Sequence, residues 1–134
     1  MAANRHAIRG RVLETGAARY GRRHRGPGTM VDVVSGDARN LGATVLADVS
    51  RPGSLPAATY DCVILAHAVA TRPHADAALC NGWRAVAPGG VLLAAVPSSA
   101  LPEDAVRSLL PGASVTRAKG WTMVRAEKRG GGHG

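Results

Sequence analysis

The sequence predicts an α/β fold, a three-layer sheet that is mostly parallel, with an antiparallel strand at its C-terminal end and reduced helices on one face. Three observations lead there. Cys62-Val63-Ile64-Leu65-Ala66 and the run 91–96 are unbroken apolar stretches of strand length, the pattern of strands buried on both faces. Helical patterns over 73–86 and 102–110 follow them in turn. Residues 113–116 and 121–126 flank Lys119-Gly120 as a closing antiparallel pair. Strands apolar on both sides and interleaved with helices need a helical layer on each face.

The elements follow in order. Arg11-Val12-Leu13-Glu14 is a short strand ending at Gly16, and a short helical piece over 17–24 precedes the break Gly26-Pro27-Gly28. Residues 29–34 form a second strand and 43–47 a third, with Ser54-Leu55-Pro56-Ala57-Ala58 as a loop before the fourth. Pro73 sits at the first turn of the next helix, where its missing N–H costs nothing, and Pro88-Gly89-Gly90 is expected to stop that helix. Pro102-Glu103-Asp104 opens the last one. Only about eight residues join the second and third strands, and about thirteen the third and fourth. Parallel strands usually need a crossover of roughly a dozen residues or more, with a helix. One face at that edge should therefore be thinly covered, which predicts an open site or a partner subunit lying there.

At 134 residues and 13.7 kDa the chain is one domain's worth of protein. Apolar residues make up 46% and charged residues 19%, which excludes wholesale disorder. With two Trp, two Tyr and no Phe, the core must be built from Ala, Val and Leu. No window approaches the ~20 apolar residues of a membrane span, and Met1 to Gly10 lacks the apolar stretch of a secretory signal. Cys62 and Cys80 lie in apolar segments and make neither a disulfide framework nor a zinc set, so a reducing cytoplasm is expected. The net charge of +8 is concentrated at the ends: residues 5–25 hold seven Arg against Glu14 alone. Without an aromatic ladder or a zinc knuckle beside it, that cluster is read as a solvated basic face rather than a nucleic-acid surface. The division is a basic segment at 1–10, a domain at 11–128 and a flexible tail at 129–134.

Several blocks resemble one known family. Val12-Leu13-Glu14-Thr15-Gly16-Ala17-Ala18 is similar to the glycine-rich first motif of class I S-adenosylmethionine-dependent methyltransferases. Ala47-Asp48-Val49 resembles the family's third-strand acid, and Leu55-Pro56 with Tyr60-Asp61-Cys62-Val63-Ile64 its fourth-strand block. Ala77-Ala78-Leu79, Trp83-Arg84-Ala85-Val86 and Pro88-Gly89-Gly90-Val91-Leu92-Leu93 resemble its following helix and fifth strand. The likeness implies a Rossmann-like methyltransferase sheet that binds S-adenosylmethionine at the strand tips. Glu14, Gly16, Ala18, Asp37, Asp48, Val49 and Ala66 would then frame the cofactor. His67, at the end of the fourth strand, would act as general base for an O- or N-nucleophile or line the site as a hydrogen bonder.

The chain departs from the family pattern in places. Ala18 and Tyr20 stand where the second and third glycines of the first motif are usual, and Tyr20 either packs on the short helix or stacks on the adenosine. Asp32 falls inside the second strand by spacing, which leaves Asp37 as ribose acceptor or as initiator of its own turn. Val69-Ala70-Thr71 occupies the slot in which many members carry a His, and His74 is taken for an exposed first-turn residue. Cys62 and Cys80 are expected to be core residues. No lid segment is evident, so self-association or a partner protein would complete the site. The resemblance implies a methyltransferase for a small-molecule or biosynthetic substrate. A non-catalytic binding or scaffold protein on the same fold is the alternative, and a different reaction on that fold a weaker third.

Overall fold

The computed structural model describes residues 10–15, 30–35, 45–46, 55–66, 74–99, 103–110, 112–118 and 120–128. They form β1 (Arg11–Thr15), β2 (Met30–Ser35), β3 (Val45–Leu46), β4 (Tyr60–Ala66), helix α1 (His74–Ala85) and β5 (Val86–Pro97). Helix α2 (Glu103–Leu109), β6 (Ser114–Ala118) and β7 (Trp121–Glu127) complete them. All seven strands lie in one sheet, in the order β3-β2-β1-β4-β5-β7-β6. Neighbours from β3 to β5 run parallel, whereas β7 is antiparallel to both β5 and β6. The chain thus starts in the middle, builds outward to β3, and then returns past β1 to build the other half. The two halves diverge between the tips of β1 and β4, the switch point at which open sheets of this kind bind ligands.

Alternation along each strand sorts the side chains onto two faces. Leu13, Val63, Leu65, Leu92, Ala94, Val96, Val124 and Ala126 point to one face, where Leu79 and Ala85 of α1 and Val106 of α2 meet them in the larger core cluster. Val12, Cys62, Ile64, Val91 and Leu93 form a smaller cluster on the other face. Among the described residues, both helices pack on the first face. The short connections expected to thin the second layer, and the helical piece at 17–24, lie outside the described residues.

The element boundaries show where local punctuation was overruled. Pro88-Gly89-Gly90 does not stop α1; the helix ends at Ala85 and β5 begins at Val86. Tertiary contacts end it, because its last carbonyls are taken by other segments. Ala58 N–H donates to the Arg84 carbonyl at 2.8 Å and Thr59 N–H to that of Ala85 at 2.9 Å. Lys128 Nζ donates to the carbonyls of Trp83 and Val86 at 2.8 and 2.9 Å. Backbone acceptors that a helix end leaves without intrahelical partners are satisfied in this way. The glycines serve the strand instead. The β4–β5 register jumps from Tyr60–Val86 to Cys62–Val91, and Gly89 takes up the bend at a φ of 84°. At Gly90 a Cβ would lie 2.8 Å from the Asp61 carbonyl oxygen, so only glycine fits.

Candidate functional site

The carboxyl edge of the sheet is where chemistry is expected, and Glu14 is the buried carboxylate described there. Next to last in β1, it pairs in register with Val33 on one side and Ile64 on the other. Its side chain shares the face of Val12 and Cys62, and only 1% of the residue is exposed. A carboxylate is rarely buried so completely among apolar side chains unless something requires it there. Two residues beyond Ile64, β4 ends at Ala66, which pairs with Ala95 of β5. Ser35 ends β2, and Asp32 lies inside that strand, as its spacing predicts.

The remaining expected site residues are not brought into view. Gly16, Ala18, Tyr20, Asp37, Asp48, Val49 and His67 lie outside the described residues, as do the side chains of Ala66 and His74. No group of three or more metal-ligating side chains occurs among the described residues. No helix among them is long and apolar enough to cross a membrane.

At the opposite, amino edge the polar groups are tied to one another. Tyr60 Oη donates to Asp32 Oδ2 at 3.0 Å, and the Arg11 guanidinium lies 3.7 Å from the same oxygen and 5.2 Å from the Tyr60 ring centre. The Arg11 N–H donates to Asp61 Oδ2 at 2.9 Å. Burial, reinforced by the Asp32 hydrogen bond and charge and opposed by Arg11, pushes the Tyr60 phenol up to about 12. Asp32 thus serves the sheet. Burial also pushes the Cys62 thiol up to about 12, with Glu14 and Asp61 adding and Arg125 opposing. Cys62 is therefore a core thiol and no nucleophile, as its apolar run predicts. Cys80 is only half-buried. A cleft of about 270 Å³ lined by Trp83, Leu109, Leu110, Ala113 and Ala126 also opens at this amino edge, away from the strand tips.

One feature of the carboxyl edge was not singled out in the sequence. Trp121 opens β7, and the antiparallel register sets it beside Pro97, the last residue of β5. The signal was present: a strand antiparallel to the fifth must begin where the fifth ends. Next to it, Ser98 N–H donates to the Gly120 carbonyl at 2.8 Å, and the hydroxyls of Ser98 and the buried Thr122 lie 3.0 Å apart.

No protein-family model and no curated protein sequence matches the chain. Solved structures do. The T. thermophilus 16S rRNA methyltransferase RsmC, in complex with AdoMet and guanosine, superposes with a TM-score of 0.64 at 23% identity, over 90% of this chain and 35% of that one. A possible exported protein from Bordetella parapertussis gives a TM-score of 0.72 at 12% identity, over 95% and 65%. The Burkholderia thailandensis 1,6-didemethyltoxoflavin-N1-methyltransferase, with 1,6-didemethyltoxoflavin and S-adenosylhomocysteine bound, gives 0.64 at 17% identity, over 96% and 76%. The chain spans about a third of the length of RsmC and about two thirds of the Bordetella protein. At such identities the likeness is one of fold, and it agrees with the strand order and the reversed β7 found here. The chain has the fold of the class I S-adenosylmethionine-dependent methyltransferases.

Proposed function

We propose that the chain is a small S-adenosylmethionine-dependent methyltransferase acting on a small-molecule or biosynthetic substrate. The observation that carries this reading is Glu14, a carboxylate buried at the β1 tip beside the switch point of the sheet. Bound there, the cofactor supplies a methyl group already activated by its sulfonium. The chain's own work is then to hold and align the acceptor and to keep water away. Glu14, with Gly16, Ala18, Asp37, Asp48, Val49 and Ala66, would hold the cofactor, and His67 would take the proton of an O- or N-acceptor. Support comes from the Burkholderia enzyme, whose substrate is a small heterocycle, and from the AdoMet and S-adenosylhomocysteine bound in such neighbours. RsmC acts on rRNA, and the Arg-rich stretch at 5–25 keeps that acceptor class as the competing one. A second copy or a partner protein over the face expected to be thinly covered completes the site in this proposal, and the cytoplasm is its compartment.

A second reading has its own observation. Ala18 and Tyr20 replace glycines of the first motif, which fits a methyltransferase-like scaffold that no longer binds the cofactor. Thermal unfolding with S-adenosylmethionine or S-adenosylhomocysteine decides between them. Ligand at a hundred times its Kd should add about 2.7 kcal/mol of stability. No shift at millimolar ligand leaves the scaffold standing. Sedimentation tests the completing copy, which a clean monomer at high concentration would remove.

A further inference from the structure

The chain has four aromatic residues. Tyr60 is committed to Asp32 at the amino edge, and Trp83 lies there under the Lys128 ammonium, 4.9 Å from its ring centre. Tyr20 lies outside the described residues. Trp121 alone among the described aromatics stands at the carboxyl edge, half-buried.

Register and alternation place it more closely. Val124 and Ala126 of β7 point into the large cluster under the helices, so Trp121 and Met123 point to the other face, which Glu14 shares. On that face the carboxyl edge runs from Glu14 on β1 past the end of β4 and Ala95 on β5 to Trp121 on β7. Glu14 is level with Ile64, Leu93 and Arg125, and Trp121 lies four residues further along the sheet, so at about 4.8 Å per strand and about 3.4 Å per residue the two stand roughly 20 Å apart. Ala95 is a small residue between them. Such a span is room for a ring beside a cofactor held at the β1 tip. The Ser98–Gly120 and Ser98–Thr122 hydrogen bonds fix the backbone on either side of Trp121. The strand start that carries the indole is thus ordered before anything binds, which lowers the ordering left to be done on binding.

We propose that Trp121 is the stacking wall for a planar, ring-bearing acceptor, which makes flat aromatic or heteroaromatic compounds the substrate class. This rests on the methyl-transfer reading above. Stacking against an indole face selects for flatness and is tolerant of the ring's identity.

The test uses the full chain carrying Trp83→Phe, so that Trp121 is the only tryptophan and reports by its emission. S-adenosylhomocysteine is added to saturation, followed by inosine, caffeic acid or 8-hydroxyquinoline, with ribose as the non-planar control. At least one planar probe should quench the emission and ribose should not. Trp121→Ala should weaken that probe tenfold or more, and Trp121→Phe should recover most of the loss, which a purely structural indole would not require. The proposal is overturned if every planar probe is silent, if the alanine variant binds the probe equally well, or if S-adenosylhomocysteine alone quenches, which would put the indole on the cofactor. A chain that does not bind S-adenosylhomocysteine removes the methyl-transfer reading and this inference with it. One that binds it while Trp121 stays silent removes this inference alone.

Discussion

The two edges of the sheet are built on different principles. At the amino edge, polar groups close on one another: Arg11, Asp32 and Tyr60 form one cluster, and Lys128 ties the last strand to the end of α1. At the carboxyl edge, β4 ends in alanine, a carboxylate is buried among apolar side chains, and an indole stands half-covered. The first arrangement satisfies groups that folding would otherwise strand. The second keeps a carboxylate buried on the ligand side of the sheet. The contrast teaches that a polar group here is best judged by where in the sheet it stands. A polar cluster at the amino edge argues for stability, and a carboxylate buried at the strand tips argues for a ligand. Variants at each edge should accordingly separate stability from binding.

The largest effect on stability is expected at Lys128. Lys128→Met removes two charge-assisted hydrogen bonds to the carbonyls of Trp83 and Val86, together with the contact over the Trp83 ring. The methionine keeps the length of the stem but leaves the end of α1 to be hydrated. A loss of about 2 kcal/mol in urea unfolding follows from the usual worth of hydrogen bonds to charged groups. Affinity for S-adenosylhomocysteine should not change. A loss below about 0.5 kcal/mol would mean that water serves those carbonyls as well as the ammonium does, and a fall in affinity would erase the division between the edges.

How far the sequence could be read follows the same division. The buried strands β4 and β5 were legible because burial on both faces leaves an unbroken apolar run, and Cys62 was placed in the core by the same run. The closing pair β6 and β7 was legible from two short strand patterns around Lys119-Gly120. The helix over 73–86 was legible to within a residue at each end, but the start of β5 was not: expected at Val91 after Pro88-Gly89-Gly90, the strand begins at Val86. The last carbonyls of the helix are held by Ala58, Thr59 and Lys128, up to 45 residues away, and no local signal carries that. Of the third strand expected over 43–47, Val45 and Leu46 are the described residues, and both pair with β2. Of the site, Glu14 could be named from the first motif, but that its side chain is sealed from solvent depends on neighbouring strands. Trp121 was overlooked because its importance lies in register, and register belongs to two strands at once.

Glu14→Gln sharpens the comparison from the other edge. The amide keeps the shape and removes the carboxylate, and urea unfolding of the same variant reads any change in stability apart from binding. Affinity for S-adenosylhomocysteine should fall about tenfold, equivalent to about 1.4 kcal/mol, by calorimetry. Unchanged affinity with unchanged stability would make Glu14 a tolerated core polar group and leave the carboxyl edge without a described ligand contact.

The smallest effect tests whether the amino-edge cluster is stabilising in its own right. Tyr60→Phe removes only the hydroxyl that donates to Asp32, at a cost of about 1 kcal/mol near neutral pH. The pH dependence is more telling. The Tyr60 phenol is raised from 10.0 to about 12 in the folded chain, so the fold keeps a proton that the unfolded chain gives up first. Stability from this group is whole below pH 10 and is lost as the pH climbs towards 12. The parent chain should therefore lose stability across that window more steeply than the Phe variant, and the gap between their unfolding curves should close. Parallel curves would mean that the phenol titrates alike in both states, and the hydrogen bond to Asp32 would then contribute nothing that the ring's burial does not.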